Sequence, residues 1–207
     1  MESGALLYVL QNNRSSWLKP SECLWSTTTQ IHGKVAINFQ YKGLKSLFVD
    51  KLLVKTVDVD MVYQELLGVP SRQPPATVSE VKELLMTLNS FLSSGAHPPP
   101  PNKLLQEKIF PVKWPQGKVE LASAQLEFAV VDREGSFDVF RDRVKTLDFS
   151  LQEVCRLRPF IAWSGLEERC LSKTVMEVSR IEGRESHAIS PTRDIKKKAY
   201  GLLRYGH

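Results

Sequence analysis

The spacing of apolar residues predicts two amphipathic helices in the first half of the chain. Over residues 77–93, apolar residues recur at every third or fourth position and form one face, made of Val81, Leu84, Leu85, Leu88, Phe91 and Leu92. Thr77 and Glu80 have the T-x-x-E spacing of a capping box, which satisfies free N–H groups at a helix start. A shorter helix is predicted over residues 60–67, with Asp58 as its cap.

Alternating and short apolar runs predict strands. In KVAINFQY, residues 34–41, the side chains of Val35, Ile37 and Phe39 fall on one side, as in a half-buried strand. Residues 109–112, 119–121 and 128–131 are short apolar runs separated by turns, and Gly117 can supply a positive φ in the first turn. They predict a small meander, which needs a helix face to pack on. The 77–93 helix is the expected partner.

The rest of the chain reads mostly as helix. Ser136 is expected to cap a helix that carries Phe137, Phe140, Val144 and Leu147, and Ser150 with Glu153 forms a second capping box. Pro159 is expected to end or kink that helix. Residues 173–181 predict a strand, and Ser190-Pro191 opens a last helix.

These elements together predict an α+β fold, in which short antiparallel strands, a small meander, pack with several amphipathic helices. The proline run at residues 98–101 predicts a stiff loop between an N-terminal part, residues 1–95, and a second part, residues 102–207. One continuous domain is the alternative.

The net charge of +5 is concentrated at the C-terminus. Residues 190–207 carry five cations against Asp194 alone, a net +4, so the other 189 residues sum to +1. The net charge therefore gives no argument for nucleic-acid binding by the body of the chain, and only a local argument, for the last helix, remains. The candidate residues for contact with nucleic acid or an acidic partner are Arg193, Lys196, Lys197, Lys198 and Arg204. An ordinary solvated helix face is the competing interpretation.

Cysteine and histidine patterns predict no metal or cofactor. The three cysteines are odd in number and show no C-x-x-C spacing, and the four histidines are scattered. The apolar run at residues 5–10 is too short for a signal peptide or a membrane span, so we expect an intracellular protein, cytoplasmic or nuclear, without a membrane partner.

Catalytic signatures do not stand out in this sequence. Asp132-Arg133-Glu134 has acid and base types side by side, but no histidine, paired carboxylates or glycine-rich loop lies near it in sequence. Phosphate-loop, dinucleotide and nucleophile-elbow motifs do not occur. No catalytic residue is therefore assigned, and an unrecognised hydrolase around these three residues stays open as an alternative.

Several stretches resemble one family. SLFVDKLLVKTVDVDMVYQELL, TVSEVKELLMTLNSFL and IFPVKWPQGKVELASAQLEFAVVDRE, followed by DFSLQEVCRLRPFIAWSGLEERCLSKTV and SPTRDIKKKAYGLLR, resemble the C-terminal region of very large fungal proteins. Those proteins carry a GHKL-type ATPase domain near the N-terminus and are relatives of sacsin and of the plant NO VEIN proteins.

The resemblance implies a distal, non-catalytic part of such a protein, standing as a fragment, a truncated product or an excised domain. It carries no ATP-binding residue over to this chain. We therefore expect a non-enzymatic scaffold or protein-interaction module with a protein partner. A nucleic-acid-associated protein that uses the basic C-terminal helix is the alternative.

Overall fold

The two predicted helices begin at the caps that the sequence indicates. A computed structural model describes residues 6–11, 14–27, 29–134, 140 and 143–175, all within the unit Met1–Met176. The described helices are α1 (Val59–Gly68), α2 (Val78–Ser93), α3 (Asn102–Gln106), α4 (Leu151–Arg156), α5 (Arg158–Trp163) and α6 (Leu171–Thr174). The described strands are β1 (Leu7–Gln11), β2 (Arg14–Leu18), β3 (Cys23–Trp25), β4 (Val35–Ala36), β5 (Lys55–Thr56), β6 (Phe110–Lys113), β7 (Val119–Ala122) and β8 (Thr146–Leu147).

Both predicted caps of these helices are confirmed. The Asp58 carboxylate accepts the N–H of Met61 at 2.7 Å at the start of α1. At the start of α2, the Glu80 carboxylate accepts the N–H of Thr77 at 2.7 Å, and the Thr77 hydroxyl accepts the N–H of Glu80 at 3.2 Å. These bonds satisfy donors that a helix start leaves free.

The apolar face of α2 packs on a three-stranded sheet, as predicted. The larger core contains Val81, Leu84, Leu85 and Leu88 together with residues of α1, β6, β8, α4 and α5. In the sheet, β6 lies between β7 and β8 and is antiparallel to both. Gly117, at φ +84°, closes the β6–β7 turn, where Trp114 and Lys118 share a 2.8 Å backbone bond. The α+β fold class with short antiparallel strands is therefore confirmed.

The third strand of the meander differs from the prediction. The place beside β6 is taken by β8, and Leu147, expected on a helix, is buried in this strand. Residues 128–131 lie on the far side of β8, where Ala129 makes a parallel bridge to Thr146 and Val130 one to Cys170. A helical period in sequence could not reveal that these apolar positions form strand pairs. Residues 135–139, 141 and 142 lie outside the described part.

The strand predicted over residues 34–41 is wrong beyond its first residues. Strand β4 covers Val35–Ala36, and the chain then turns, with the N–H groups of Gln40 and Tyr41 bonded to the carbonyl of Ile37. Ile37 is buried, but Phe39 is 65% exposed. The turn breaks the period-two alternation on which the prediction rested.

A second, smaller core lies in the N-terminal part. It is formed by Leu7, Val9, Cys23, Ile37, Phe48 and Val54. The β1–β2 hairpin covers one side of it, and β3 pairs in parallel with β4 and β5. Arg72 connects this part to the helices, because its guanidinium donates to His32 at 3.1 Å and lies 3.4 Å from the Glu80 carboxylate.

The larger core continues across the proline loop. It contains residues of α1 and α2 before the loop and Leu104, Ile109 and Phe110 after it, and the Tyr63 hydroxyl donates to the Pro100 carbonyl at 2.8 Å. The division at residues 95–102 stays a prediction, and the shared core favours the alternative of one continuous domain.

Helices α4 and α5 meet at a break that α2 fills. Ser150 and Glu153 form the predicted capping box of α4, and Pro159 lies in the first turn of α5. Because Pro159 interrupts the helix, the carbonyl of Arg156 and the N–H of Phe160 do not bond to each other. The buried Asn89 amide bonds to both, donating to Arg156 at 2.9 Å and accepting from Phe160 at 3.1 Å.

The predicted strand at residues 173–181 is wrong at its start, since residues 171–174 form the helical turn α6. Residues 176–207, with the predicted last helix, lie outside the described part.

We predict that Asn89→Leu lowers the free energy of unfolding by about 3 kcal/mol, because it leaves a buried carbonyl and a buried N–H without partners. Urea denaturation measures this. Ser90→Ala, at the exposed neighbour, is the matched control and should change stability by less than about 0.5 kcal/mol. An equal loss in both variants would contradict a special role for Asn89.

We predict that the stability difference between the wild type and Glu80→Gln shrinks in acid. The hydrogen bonds from Thr77 lower the pKa of Glu80 below its ordinary value of 4.5. The contribution of the carboxylate is therefore complete above pH 4.5 and is lost as the pH falls through the lowered value. Thermal unfolding between pH 7 and pH 3 measures it. Glu83→Gln, at an exposed position of α2, should show no such convergence.

Candidate functional site

The predicted site residues lie in two different places. Arg193, Lys196, Lys197, Lys198 and Arg204 fall outside the described residues. Asp132, Arg133 and Glu134 are described, and they follow the segment that bridges to Thr146 and Cys170.

The acid–base triplet is not assembled at one cavity. Arg133 and Glu134 are exposed, whereas Asp132 is half-buried and accepts the N–H of Ser172 at 2.9 Å. Its carboxylate thereby holds the first turn of α6 against the neighbouring segment. The geometry gives Asp132 a structural contact, and the hydrolase alternative stays a prediction.

The segment from Leu166 to Thr174 is fixed to residues 124–132 by several polar contacts. The N–H of Val130 donates to the Arg169 carbonyl at 2.8 Å, and the N–H of Leu171 donates to the Val130 carbonyl at 2.9 Å. The Arg169 guanidinium donates to the carbonyls of Leu126 and Ala124. Burial lowers the pKa of this guanidinium, and the two carbonyls accept two of its N–H donors.

A cavity of about 790 Å³ opens on one side of this segment. Two aromatic rings in its lining each make a cation–π contact. Lys145 Nζ lies 4.3 Å from the centroid of the Trp114 ring, and Arg169 Cζ lies 4.6 Å from the centroid of the Phe128 ring. Its other charged lining residues are Glu127, Arg143 and Glu168. The volume suits a small ligand, but the charges of both signs select no ligand class.

A second cavity, of about 480 Å³, opens on the other side. Asp132, Cys155, Arg158, Glu167 and Cys170 are among its lining residues. Burial raises the pKa of the Cys170 thiol, with a further contribution from the Asp132 carboxylate, so this thiol is a poor nucleophile at neutral pH. Among the described residues, no group of histidine, cysteine and carboxylate side chains could hold a metal ion.

The exposed face of the β1–β2 hairpin is the most unusual surface of the described chain. Leu7 and Val9 point into the second core, and the alternate residues point outward. Tyr8 and Trp17 lie directly opposite each other, with ring centroids 5.4 Å apart. Leu10 and Phe39 line a shared depression of about 350 Å³. We name the apolar hairpin surface by its members, Leu6, Tyr8, Leu10, Trp17 and Phe39, which are 40–65% exposed.

A side-chain amide fixes this surface to the second core. The Gln40 amide accepts the N–H of Leu10 at 2.9 Å and donates to the carbonyl of Tyr8 at 3.1 Å. The Tyr41 hydroxyl also donates to the Tyr8 carbonyl, while its ring packs 4.5 Å from that of Phe48. The exposed apolar side chains are therefore carried on an anchored hairpin.

Basic residues outnumber acidic residues in this part of the chain. Residues 6–57 contain seven lysine and arginine residues but two acidic residues, Glu22 and Asp50. Residues 60–175 contain fourteen basic and fifteen acidic residues. The apolar hairpin surface thus lies in a basic segment, whereas the rest of the described chain is close to neutral.

Sequence reasoning missed the apolar hairpin surface. The short apolar run LLYVL, followed by Asn12-Asn13 and a second short run, is typical of a hairpin and could have indicated the two strands. The exposure of Phe39 had no such signal. Among the described helices, none is both long and apolar enough to cross a bilayer.

Leu53 has an unfavourable backbone conformation, and its side chain is not buried. Its φ is +56°, in the left-handed region, and its side chain is 76% exposed. For a leucine this region costs roughly 1–2 kcal/mol.

We predict that Leu53→Asn raises the free energy of unfolding by roughly 0.5–1 kcal/mol, because asparagine tolerates the left-handed region. Urea denaturation measures the change. Leu44→Asn, at an exposed leucine without a positive φ, is the control and should give no gain. Destabilisation by Leu53→Asn would show that the leucine side chain makes contacts worth more than the backbone strain.

Comparison with known families gives one match. The sequence matches the family model of a domain of unknown function, DUF8348, over residues 60–175. No curated protein and no solved structure matches the chain. The matched span contains the larger core and both large cavities, and the apolar hairpin surface lies before it. The chain belongs to the DUF8348 family.

Proposed function

We propose that this protein is a non-enzymatic scaffold that binds a protein partner through the apolar hairpin surface. One observation carries the proposal. Among the described residues, the large hydrophobic side chains with the greatest exposure all lie between Leu6 and Leu53, and none lies in the family domain. Exposed apolar patches of this kind mark interaction sites in soluble proteins.

The composition of the surface supports a protein partner. Trp17 and Tyr8 are of the residue types that dominate the binding energy of protein interfaces. Gln40 and Tyr41 fix the hairpin before any partner arrives, so little conformational entropy is lost when it binds. A preordered aromatic surface is therefore suited to specific association.

The environment of the cavities supports a non-enzymatic role. The Asp132 carboxylate accepts a backbone N–H, the Arg169 donors are bonded to two carbonyls, and the Cys170 thiol has a raised pKa. These groups are used in packing the segment from Leu166 to Thr174. In this proposal the family domain is the support and the N-terminal hairpin is the binding element.

We also propose that this scaffold is related to the sacsin-like and NO VEIN-like proteins that its sequence resembles. The stretches that resemble the distal region of those ATPases include the helix α2 and the β6–β7 hairpin. On that basis the scaffold corresponds to a distal, non-catalytic part, and ATP chemistry belongs elsewhere.

The alternative of a nucleic-acid-associated protein rests on Arg193, Lys196, Lys197, Lys198 and Arg204. A phosphate backbone would contact cations, and its binding would weaken steeply with salt. The apolar hairpin surface would be dispensable for it. The two functions therefore predict opposite effects of the same two variants.

The test is capture of partners from a cell extract with the full chain, with and without nuclease, for the wild type and two variants. We expect nuclease-resistant protein partners that are reduced about tenfold or more by Trp17→Ser/Phe39→Ser, since aromatic anchors contribute most of such interfaces. They should persist in Lys196→Ala/Lys197→Ala/Lys198→Ala. Circular dichroism must show both variants folded.

The opposite pattern would overturn the proposal. Capture that disappears with nuclease and with the triple lysine variant would favour the nucleic-acid function. ATP binding and turnover by this chain alone would contradict the non-enzymatic part.

A further inference from the structure

The two edges of the β1–β2 hairpin are not equivalent. The N–H of Leu10 and the carbonyl of Tyr8 are bonded to Gln40, so they point away from β2. In an antiparallel pair of strands, two residues directly opposite each other either bond to each other through their backbone groups or both point these groups away from the partner strand. Tyr8 pairs with Trp17 and Leu10 with Ser15. The N–H and carbonyl groups of Ser15 and Trp17 therefore point away from β1, toward the outer edge of β2.

The outer edge of β2 has no partner in the described part of the chain. No described residue bonds to the outward groups of Ser15 or Trp17, and residues 14–17 are all exposed. The edge of β1 is closed by the Gln40 amide, which occupies the positions that a neighbouring strand would use. An edge with free donors and acceptors is a template for an added strand.

The side chains beside this edge favour a ligand strand with apolar residues at every second position. Trp17 is 64% exposed on the same face as Tyr8, Leu10 and Ser15, while Leu18 packs on the second core. A strand added to β2 would place every second side chain on the outer face, next to the Trp17 ring. Apolar residues at those positions would extend the apolar hairpin surface.

The charges near the edge select an acidic ligand. Exposed Arg14 and Lys19 lie at the two ends of β2, and residues 6–57 carry seven basic side chains against Glu22 and Asp50. The Glu22 carboxylate, at the Lys19 end, accepts the N–H of Lys19 at 2.7 Å. A second copy of this chain fits poorly, because antiparallel pairing of β2 with itself about Ser16 would bring Arg14 of one copy close to Lys19 of the other. A lipid surface supplies negative charge but no backbone groups to pair with Ser15 and Trp17.

We propose that the outer edge of β2 binds an extended, acidic peptide segment of a partner protein as a third strand of the hairpin sheet. The segment has apolar residues at alternate positions on the Trp17 face and aspartate or glutamate near Arg14 and Lys19. This inference rests on the proposed function and specifies the ligand of the same surface.

The test uses the full chain and a synthetic peptide of about nine residues, a common strand length, that alternates valine and glutamate. Two peptides serve as controls: one alternates valine and lysine, and one keeps the glutamate sequence but has alternate backbone nitrogens methylated, which removes their donors. Isothermal titration calorimetry reports affinity, and amide hydrogen exchange reports the protection of Ser15 and Trp17.

Ser15→Pro is the decisive variant. It removes an N–H that does not serve the β1–β2 ladder, and proline is tolerated at such an edge position. We expect Ser15→Pro to weaken binding of the glutamate peptide about tenfold or more, because main-chain bonds give strand addition much of its affinity. Ser15→Ala, the matched control, should bind as the wild type does. The methylated and lysine peptides should not bind, and the glutamate peptide should protect the Ser15 and Trp17 amides.

Four outcomes would overturn the inference. Unchanged binding in Ser15→Pro together with binding of the methylated peptide would show that the edge is not used. Absence of peptide binding would exclude the acidic strand, and sedimentation showing a dimer would then identify a second copy as the occupant. Binding to vesicles of anionic lipid that protects neither Ser15 nor Trp17 would favour a membrane surface. If Ser15→Pro does not fold, equal binding of the methylated and unmethylated peptides to the wild type still refutes the inference.

These results separate this inference from the proposed function. Cellular partners that are lost with Trp17→Ser/Phe39→Ser but retained with folded Ser15→Pro would leave the scaffold function standing and remove strand addition. Loss of the partners in neither variant would remove both.

Discussion

The fold of the family domain depends on one side-chain amide that takes the place of a missing helix hydrogen bond. Pro159 prevents α4 and α5 from continuing as one helix, and the Arg156 carbonyl and the Phe160 N–H are left four residues apart without bonding to each other. Asn89, 5% exposed, bonds to both. A buried unpaired donor or acceptor costs about 1–3 kcal/mol, so the amide fixes where α2 meets the helix pair.

The position of α2 then determines the rest of the domain. Its apolar face packs on the sheet that holds β6 at its centre, and β8 enters that sheet immediately before α4. The segment from Leu166 to Thr174 follows α5 and is held through Val130, Asp132 and the Arg169 guanidinium. Residues of this segment line both large cavities.

The N-terminal part differs from the family domain in the size of its core and in the exposure of its apolar side chains. Its core is small, and the hairpin that covers it leaves the apolar hairpin surface open to solvent. A two-stranded hairpin is marginally stable alone, and here the Gln40 amide and the Tyr41 hydroxyl hold one edge. The same arrangement that closes the β1 edge leaves the β2 edge available. The two parts also differ in charge. Basic residues outnumber acidic residues at residues 6–57, but they do not in the family domain, residues 60–175.

The sequence by itself determined the local features: the caps at Asp58, Thr77 and Ser150, the apolar face of α2, the Gly117 turn and the break at Pro159. Each depends on residues within a few positions of one another, so their spacing carries the information. Only the tertiary structure decided that β8 is the third strand, that Asn89 fills a helix break 67–71 residues away, and that Phe39 is exposed. The β1–β2 hairpin has a signal in the sequence, but the exposure of its apolar side chains has none, because whether an apolar residue is buried depends on which distant segments cover it. No periodicity along the chain records which segments these are, just as none records that Gln40 bonds to a strand 30 residues away.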